Sequence, residues 1–227
     1  MSQAYPVKGP PLTPPTLAVK REVDAAVALL HQSECLTAMG NGNCAVRVPG
    51  EDKLILCGFE GPLKNGPAAT VVVGFDRTLH EGTLFFFHEE VLHLHIAVLQ
   101  ERPDVNVSIH THSIHLIGWA LANRPLPLIH SPELSRLPVR EIPVSPPAAR
   151  DDAGPVIGIL RAHPQAPALL IGNHGLLAWG ADVAGTTDLV LSLEEAARFA
   201  LEAEELGKLP DARMAAPALS HARGLRG

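Results

Sequence analysis

The most regular alternation of apolar and polar positions in the chain lies between Val105 and Ser113. Successive side chains of a β-strand point to opposite faces of the sheet, so a period of two predicts a strand here. One face would carry Val105, Val107, Ile109 and Thr111, and the other Asn106, Ser108, His110 and His112. The alternation therefore places two histidines on one face of one strand, with Cα atoms about 6.5–7 Å apart.

Other segments show the three- and four-residue spacing of helices or the short apolar runs of strands. Helices are predicted over residues 17–36, 88–101, 114–123, 155–163 and 187–206, and further strands over 44–48, 53–57, 69–76, 168–171 and 176–179. The phenylalanines at 85–87 are expected in the core. Residues 124–154 contain seven prolines and are predicted to form a long irregular connection.

The order of these elements predicts one α/β domain, a mainly antiparallel sheet with helices packed on it. We place the domain at residues 17–207. Residues 1–16 are proline-rich and are expected to form an extended N-terminal arm, and residues 208–227 a C-terminal tail.

Composition narrows the function classes. The chain has 227 residues, 46% hydrophobic and 19% charged, with a net charge of −6. An acidic chain is not drawn to phosphate backbones or anionic membranes, so neither nucleic acid nor a membrane is expected as a partner. No apolar run approaches the roughly 20 residues of a membrane span. The first residues lack a signal peptide's apolar region, and three cysteines are too few for a disulfide framework, so a cytoplasmic location is expected.

Twelve histidines point to a metal or acid–base site. His110 and His112 share a strand face, and His174 lies in a Gly-rich turn between two apolar runs. Three neutral imidazoles leave open positions on a divalent ion, as in catalytic metal sites. Spacing alone leaves open whether His174 reaches the other two, and a bare His-x-His is also compatible with a solvated sheet face.

Several segments together resemble the class II aldolase/adducin family, over about residues 20–205 and in the expected order. They are Gly42-Asn43-Cys44-Ala45-Val46-Arg47, Glu101-Arg102-Pro103-Asp104-Val105, Ser108-Ile109-His110-Thr111-His112-Ser113, Asn173-His174-Gly175-Leu176 and Glu194-Glu195-Ala196-Ala197. The resemblance implies a three-layer α/β/α fold around a mainly antiparallel sheet. It also implies a homotetramer with active sites between subunits and a small-molecule substrate.

The same resemblance implies that His110, His112 and His174 hold a divalent ion. That ion is zinc in most family members and manganese or iron in some. Asn43 and Gly58 fall on segments that contact substrate in the family, so they are expected to bind substrate here.

One departure from the family concerns phosphate. Family sugar-phosphate aldolases carry a Ser-Ser-Glu run before a helix histidine, and matching that histidine to His95 puts Glu89, Glu90 and Val91 on the run. Carboxylates repel a phosphodianion and offer it no donor, so a phosphorylated substrate is disfavoured. We expect Glu89 to contact substrate and Glu90 to be the acid–base group. Alternatively, both are acidic residues that stabilise a helix N-terminus. His95 itself is expected to pack in the core.

A second departure concerns the proton donor. The tyrosine that family aldolases use after the His-x-His strand corresponds to Ser131, and Tyr5 is the chain's one tyrosine. A serine hydroxyl is a far weaker acid than a phenol. His130 is therefore our candidate donor, with Ser131 expected to contact substrate and Glu133 nearby.

These residues predict a divalent-metal-dependent carbon–carbon lyase that acts on a non-phosphorylated hydroxy- or keto-acid or a similar small molecule. Decarboxylation and retro-aldol cleavage share an enediolate intermediate and both fit. Decarboxylation gains weight because carbon dioxide leaves without a protonated leaving group. The alternatives are a non-haem iron(II) oxygenase on the same histidines, a sugar-phosphate aldolase or epimerase, and an adducin-like binding protein. The last would be expected to lack the three histidines.

Overall fold

The computed structural model describes residues 6–59, 69–128, 134–147 and 152–207. Its strands are β1 (Val7–Lys8), β2 (Gly42–Arg47), β3 (Lys53–Gly58), β4 (Thr70–Gly74), β5 (Leu79–Leu84), β6 (Val107–Thr111), β7 (Leu126–Pro127), β8 (Glu141–Ile142), β9 (Val144–Ser145), β10 (Ala168–Ile171) and β11 (Gly175–Gly180). Its helices are α1 (Pro14–Gln32), α2 (Phe86–Glu101), α3 (Leu116–Leu121), α4 (Gly154–Ala162) and α5 (Val183–Glu205).

Nine of the described strands form one sheet in the order β1-β5-β4-β3-β2-β6-β11-β10-β9. Neighbouring strands are antiparallel, apart from the parallel pair β9 and β10. The prediction of a mainly antiparallel sheet is therefore confirmed. Strand β6 lies between β2 and β11, near the middle of the sheet.

Helices cover both faces of this sheet, which confirms the three-layer α/β/α architecture. Buried residues of α1, α3 and α5, among them Leu30 and Trp119, pack in one cluster on one face. Buried residues of α2 and α4, among them Leu92 and Leu160, pack in a second cluster on the other. Burial of apolar side chains on both faces supplies the main driving force for folding.

The alternation predicted for β6 is present. Val107 and Ile109 pack in the cluster with α1, α3 and α5, while Ser108 and His110 point to the α2 side. Both faces are buried, so His110 lies beneath a helix and not on a solvated sheet face.

Within the arm predicted at 1–16, the described residues contain strand β1 and the first residues of α1. Strand β1 pairs with β5. Beyond β1, the pairing with β5 continues, since Gly9 N–H donates to the Gly82 carbonyl and Gly82 N–H donates to the Pro10 carbonyl. Helix α1 begins at Pro14, three residues before the predicted start. Proline suits the first helical turn because its fixed φ matches the helix and its missing N–H is not needed there.

Helices α2 and α5 also begin earlier than predicted, by two and four residues. Helix α5 begins at Val183, where the Asp182 side chain caps it by accepting a hydrogen bond of 2.7 Å from the Gly185 N–H. Helix α2 begins at Phe86, so the three phenylalanines lie at its start. Phe87 is 40% exposed, and its expected place in the core is wrong.

The connection predicted as irregular over 124–154 contains β7, β8 and β9. The last of these pairs with β10 at the edge of the main sheet, and the other two form a small separate sheet. The tail at 208–227 lies outside the described residues. Among the helices that the structure describes, none combines the length and apolar character needed to cross a bilayer.

Candidate metal centre

Three histidines from two parts of the chain converge at one end of β6. His110 is in the strand, His112 follows it, and His174 is in the turn between β10 and β11. The rings are close, with centroids 5.0 Å apart for His110 and His112 and 4.9 Å apart for each of the other two pairs. One nitrogen from each ring lies within 4.8 Å of the others. The structure thus brings together the three residues that were predicted as ligands.

The pairing of β6 with β11 explains how His174 reaches the other two. Leu176 pairs with Thr111, so the turn before β11 lies beside the end of β6. Gly175 makes the approach possible, because a Cβ there would lie 2.5 Å from the Thr111 carbonyl oxygen. Asn173 takes a left-handed conformation (φ 58°), and its N–H donates to the Ala120 carbonyl over 2.9 Å, which fixes the turn against α3.

Hydrogen bonds leave the ligating nitrogens free to accept a cation. His110 Nδ1–H donates to the Leu176 carbonyl over 2.7 Å, which leaves the Nε2 lone pair for a metal. That atom lies 3.1 Å from His174 Nε2. Two ligands at 2.0–2.1 Å in tetrahedral geometry stand about 3.4 Å apart. His112 Nε2 is buried with no hydrogen-bond partner among the described residues. This donor set fits a divalent ion.

The electrostatics favour uncharged rings. Burial, with a smaller contribution from His112 and His174, lowers the pKa of His110 well below its ordinary value. Burial also lowers the pKa of His112 to about 4. Burial lowers the pKa of His174 as well, and the negative charge of Glu90 offsets part of that effect. All three rings are therefore neutral near pH 7, as metal ligands must be.

The histidines form the floor of a cleft of about 350 Å³ between the sheet and the first turns of α2. Three of the predicted acid–base and substrate-binding residues also line it, namely Asn43, Gly58 and Glu90. Glu89 lies in α2 next to Glu90. His130 and Ser131, the predicted acid–base and substrate residues after β7, lie outside the described residues, and so does Glu133.

Glu90 is the acidic side chain among the described residues that line this cleft. Glu90 lines the same cleft as the three histidines, and its negative charge partly offsets the lowering of the His174 pKa by burial. Val91, to which the sequence resemblance matches the family glutamate, also lines the cleft. A carboxylate is therefore present in the cleft, one position before Val91.

The start of α2 shows a feature that the sequence analysis missed. Phe85 N–H donates to His88 Nδ1 over 3.0 Å, and His88 N–H donates to the Phe85 carbonyl over 3.0 Å. A helix binds an anion through the free N–H groups of its first turn. Here the N–H groups of Phe85 and His88 are already hydrogen-bonded. Because Glu89 and Glu90 lie beyond the first turn, their N–H groups are expected to bond within the helix.

His95 is buried as predicted, but its hydrogen bonds were not foreseen. Its Nδ1 lies 2.6 Å from Ser108 Oγ, and its Nε2 contacts Asn43 Oδ1. Ser108 shares the polar face of its strand with His110, which is the one sequence signal for this contact. The residue thus belongs to the surroundings of the cleft and not only to the core.

Comparison with protein families identifies the fold. The model for the Class II Aldolase and Adducin N-terminal domain matches residues 21–201. L-fuculose phosphate aldolase of Escherichia coli O6:H1 is 31% identical over 115 residues, which cover 51% of this chain and 48% of that enzyme. The matched part therefore spans about half the length of the curated relative.

Solved structures agree in fold. An L-fuculose 1-phosphate aldolase superposes with a TM-score of 0.72 at 22% identity, covering 87% of this chain and 92% of the other. The enzyme of the same name from Glaciozyma antarctica PI12 gives a TM-score of 0.68 at 20% identity, covering 91% and 84%. At these identities the likeness concerns the fold alone.

Proposed function

Because this chain belongs to the class II aldolase and adducin family, we propose that it is a divalent-metal-dependent carbon–carbon lyase. The observation that carries the proposal is the convergence of His110, His112 and His174 in a cleft that Glu90 also lines. A binding protein that kept only the fold would have no need of three neutral imidazoles around one point.

His110, His112 and His174 would hold the ion. Zinc is our first candidate, since three nitrogen ligands with an open position suit it, with manganese or iron as alternatives. When bound, the ion supplies Lewis-acid polarisation of a substrate oxygen. The Leu176 carbonyl would orient His110 by accepting its Nδ1 proton.

Glu90 would move the proton. The residue is partly buried and lines the cleft, and its negative charge acts on His174. A carboxylate beside the reacting carbon can accept a proton or return one to the product. His130 remains our proposed second proton donor and Ser131 a substrate contact, on the basis of the family resemblance alone.

We propose a substrate without a phosphate group, although the curated relatives are named for a phosphorylated sugar. No lysine or arginine is among the described residues that line the cleft, and Glu90 would repel a dianion. The His88 bonds at the start of α2 also reduce the N–H groups available to an anion. Asn43 and Gly58, together with Glu89, would instead contact hydroxyl groups of a small hydroxy- or keto-compound.

The subunit arrangement is proposed on similar grounds. Phe87 lines the cleft and is 40% exposed, as is expected of an apolar side chain that another subunit covers. A homotetramer with sites between subunits fits the family resemblance. Light scattering of the purified protein would test it, and a monomer at micromolar concentration would contradict it.

A matched pair of compounds tests the reaction. We expect the zinc-loaded protein to exchange the carbon-bound protons of dihydroxyacetone in D2O, observed by proton NMR, and the His110→Ala variant not to. Dihydroxyacetone phosphate should exchange more slowly. Preference for the phosphate would show a sugar-phosphate enzyme, and exchange of neither compound would contradict a lyase that forms an enediolate from dihydroxyacetone.

Further assays separate the remaining chemistries. Release of carbon dioxide from hydroxy- or keto-acids would identify decarboxylation, and release of an aldehyde would identify retro-aldol cleavage. Stoichiometric iron together with oxygen uptake would replace the lyase proposal by an oxygenase.

A further inference from the structure

A line of three hydrogen-bonded side chains runs from the middle of the sheet to the cleft. Ser108 on β6 contacts His95 Nδ1 at 2.6 Å, and His95 Nε2 contacts Asn43 Oδ1 on β2. Ser108 and His95 have no exposed surface. The third residue, Asn43, pairs with His110 across the two strands and lines the cleft.

The direction of these bonds follows from the number of protons available. Burial lowers the pKa of His95 to about 3, so the ring is neutral and carries one N–H. One ring nitrogen must therefore donate and the other accept. We call Ser108, His95 and Asn43 the relay. Its hydrogen bonds are donated either from Ser108 toward Asn43 or from Asn43 toward Ser108.

The hydrogen bonding of the Ser108 hydroxyl distinguishes the two directions. Its hydroxyl has His95 as its hydrogen-bond partner among the described residues. If the hydroxyl accepted from His95, its own buried proton would have no acceptor, which costs about 1–3 kcal/mol. If it donates to Nδ1, the hydroxyl proton and both ring nitrogens of His95 have partners. The Nε2–H of His95 then donates to the Asn43 carbonyl oxygen.

This direction determines what Asn43 offers to a ligand. Its oxygen is turned to His95, so its amide N–H groups are left for the cleft. If the Asn43 side-chain amide were rotated by half a turn, its N–H groups would face the Nε2–H of His95, and two donors would oppose each other. Asn43 is therefore held as a hydrogen-bond donor beside His110.

We propose that Ser108 and His95 are positioning residues that hold the Asn43 amide toward the cleft, where it donates to the substrate oxygen that gains negative charge during carbon–carbon cleavage. A preorganised donor of this kind is typically worth about 10²–10³ in kcat. The use of the amide on a substrate rests on the proposed lyase function, whereas the direction of the relay does not.

Nitrogen NMR of the histidine side chains tests the relay without any activity assay. In zinc-loaded protein labelled with ¹⁵N-histidine, His95 is identified by the signals missing from His95→Gln. We expect His95 to be neutral and protonated at Nε2. In Ser108→Ala, Nδ1 loses its donor, so a mixture of tautomers should appear. A His95 protonated at Nδ1 in the unsubstituted protein would overturn the proposal.

Oxalate, whose adjacent anionic oxygens can chelate a divalent ion, tests the donor role by calorimetry. Asn43→Asp should bind oxalate more weakly by about tenfold or more, because a charged acceptor replaces a donor. Asn106→Asp, which adds the same charge at an exposed position near the other end of β6, should bind as the unsubstituted protein does. Equal affinity of the two variants would contradict the proposal.

Ser108→Ala tests whether the positioning residues act through Asn43. We expect roughly three- to tenfold weaker oxalate binding with unchanged zinc content. Ser145→Ala, which removes another buried hydroxyl on β9, should have no effect. If the unsubstituted protein binds zinc but no oxalate, the proposed function loses support and the NMR result still decides the relay.

Discussion

Burial keeps the pKa of His110, His112 and His174 below the ordinary value for histidine, so the three rings are uncharged at neutral pH. An uncharged imidazole has a lone pair to give, and an ion can bind without first displacing a proton. The neighbouring carboxylate of Glu90 adds the negative charge that a cation in the cleft would favour.

The role of Glu90 can be separated from that of the ligands. Glu90→Gln removes the charge and the exchangeable proton but keeps the shape, so proton exchange of dihydroxyacetone should slow by about 10²–10⁴ with zinc content unchanged. Glu195→Gln, an exposed position on α5, is the control and should leave the rate unaffected. Equal rates for the two variants would show that Glu90 does not move the proton.

His95 gives a prediction about acid stability. Its pKa is about 3 in the folded chain and near 6.5 in the unfolded one. Below about pH 6.5 the unfolded chain therefore binds a proton that the folded chain does not, and stability falls as pH falls, until about pH 3. The slope is about 1.4 kcal/mol per pH unit for this residue.

Urea unfolding of metal-free protein between pH 7 and 4.5 measures this effect. We expect the free energy of unfolding of His95→Gln to decline less steeply with acidification than that of the unsubstituted chain. Parallel curves would mean that His95 is not kept neutral by burial.

At the scale of elements, the turn between β10 and β11 is held by the end of α3. Asn123, with φ 51°, donates from Nδ2 to Asn173 Oδ1 over 3.0 Å. Asn173 is also left-handed, and its backbone is bonded to Ala120. Asn123 and the Ala120 carbonyl therefore hold Asn173, the residue that precedes His174.

This arrangement predicts that a residue outside the cleft affects metal affinity. Asn123→Gly keeps the left-handed backbone accessible but removes the amide, so zinc affinity should fall by about tenfold or more. Asn106→Gly, which removes an amide bonded to the Ala181 carbonyl, is the control. Competition with a chelating dye measures both, and equal affinities would show that the α3 contact does not position His174.

Most elements could be predicted from the sequence because their patterns are local. The β6 alternation and the β10–β11 turn are examples. Helix starts were less predictable, because they depend on distant groups. Glu81 accepts hydrogen bonds from Thr13 N and Thr16 Oγ1 at the start of α1, 65 or more positions away along the chain. Nothing near residue 14 in the sequence indicates that partner.

At the scale of the whole molecule, the candidate site depends on strand order. Asn43, His110 and His174 come from distant segments and meet because β6 lies between β2 and β11. Residue spacing cannot give that order, and the family resemblance supplied the site residues but not the order of the strands. The Ser108–His95–Asn43 relay could not be predicted for the same reason, since it needs α2 to lie on one particular face.

The contacts of Glu194 also depend on how distant segments of the chain pack together, but their role is structural. Its buried carboxylate on α5 accepts from His115 N and His115 Nδ1, each over 2.8 Å, and from Leu116 N over 3.0 Å. It thus joins α5 to the start of α3, whose other end holds the turn of His174. The acidic helix motif of the sequence is explained by this contact.

Metal removal should destabilise the whole chain, since a ligand that binds only the folded state raises stability. At zinc concentrations 100-fold above Kd the contribution is about 2.7 kcal/mol, which corresponds to about 5–10 °C in Tm for a chain of this size. A chelator should lower the Tm of the unsubstituted protein by that amount and leave the Tm of His110→Ala unchanged. Equal shifts in both proteins would place the stabilising ion elsewhere.

Elemental analysis of protein purified under anaerobic conditions tests most directly whether His110, His112 and His174 hold a divalent ion. We expect stoichiometric metal, with zinc as the first candidate, in the unsubstituted protein and in His163→Ala, an exposed control. His110→Ala and His174→Ala should have lost it. Unchanged metal content in those two variants would contradict the account.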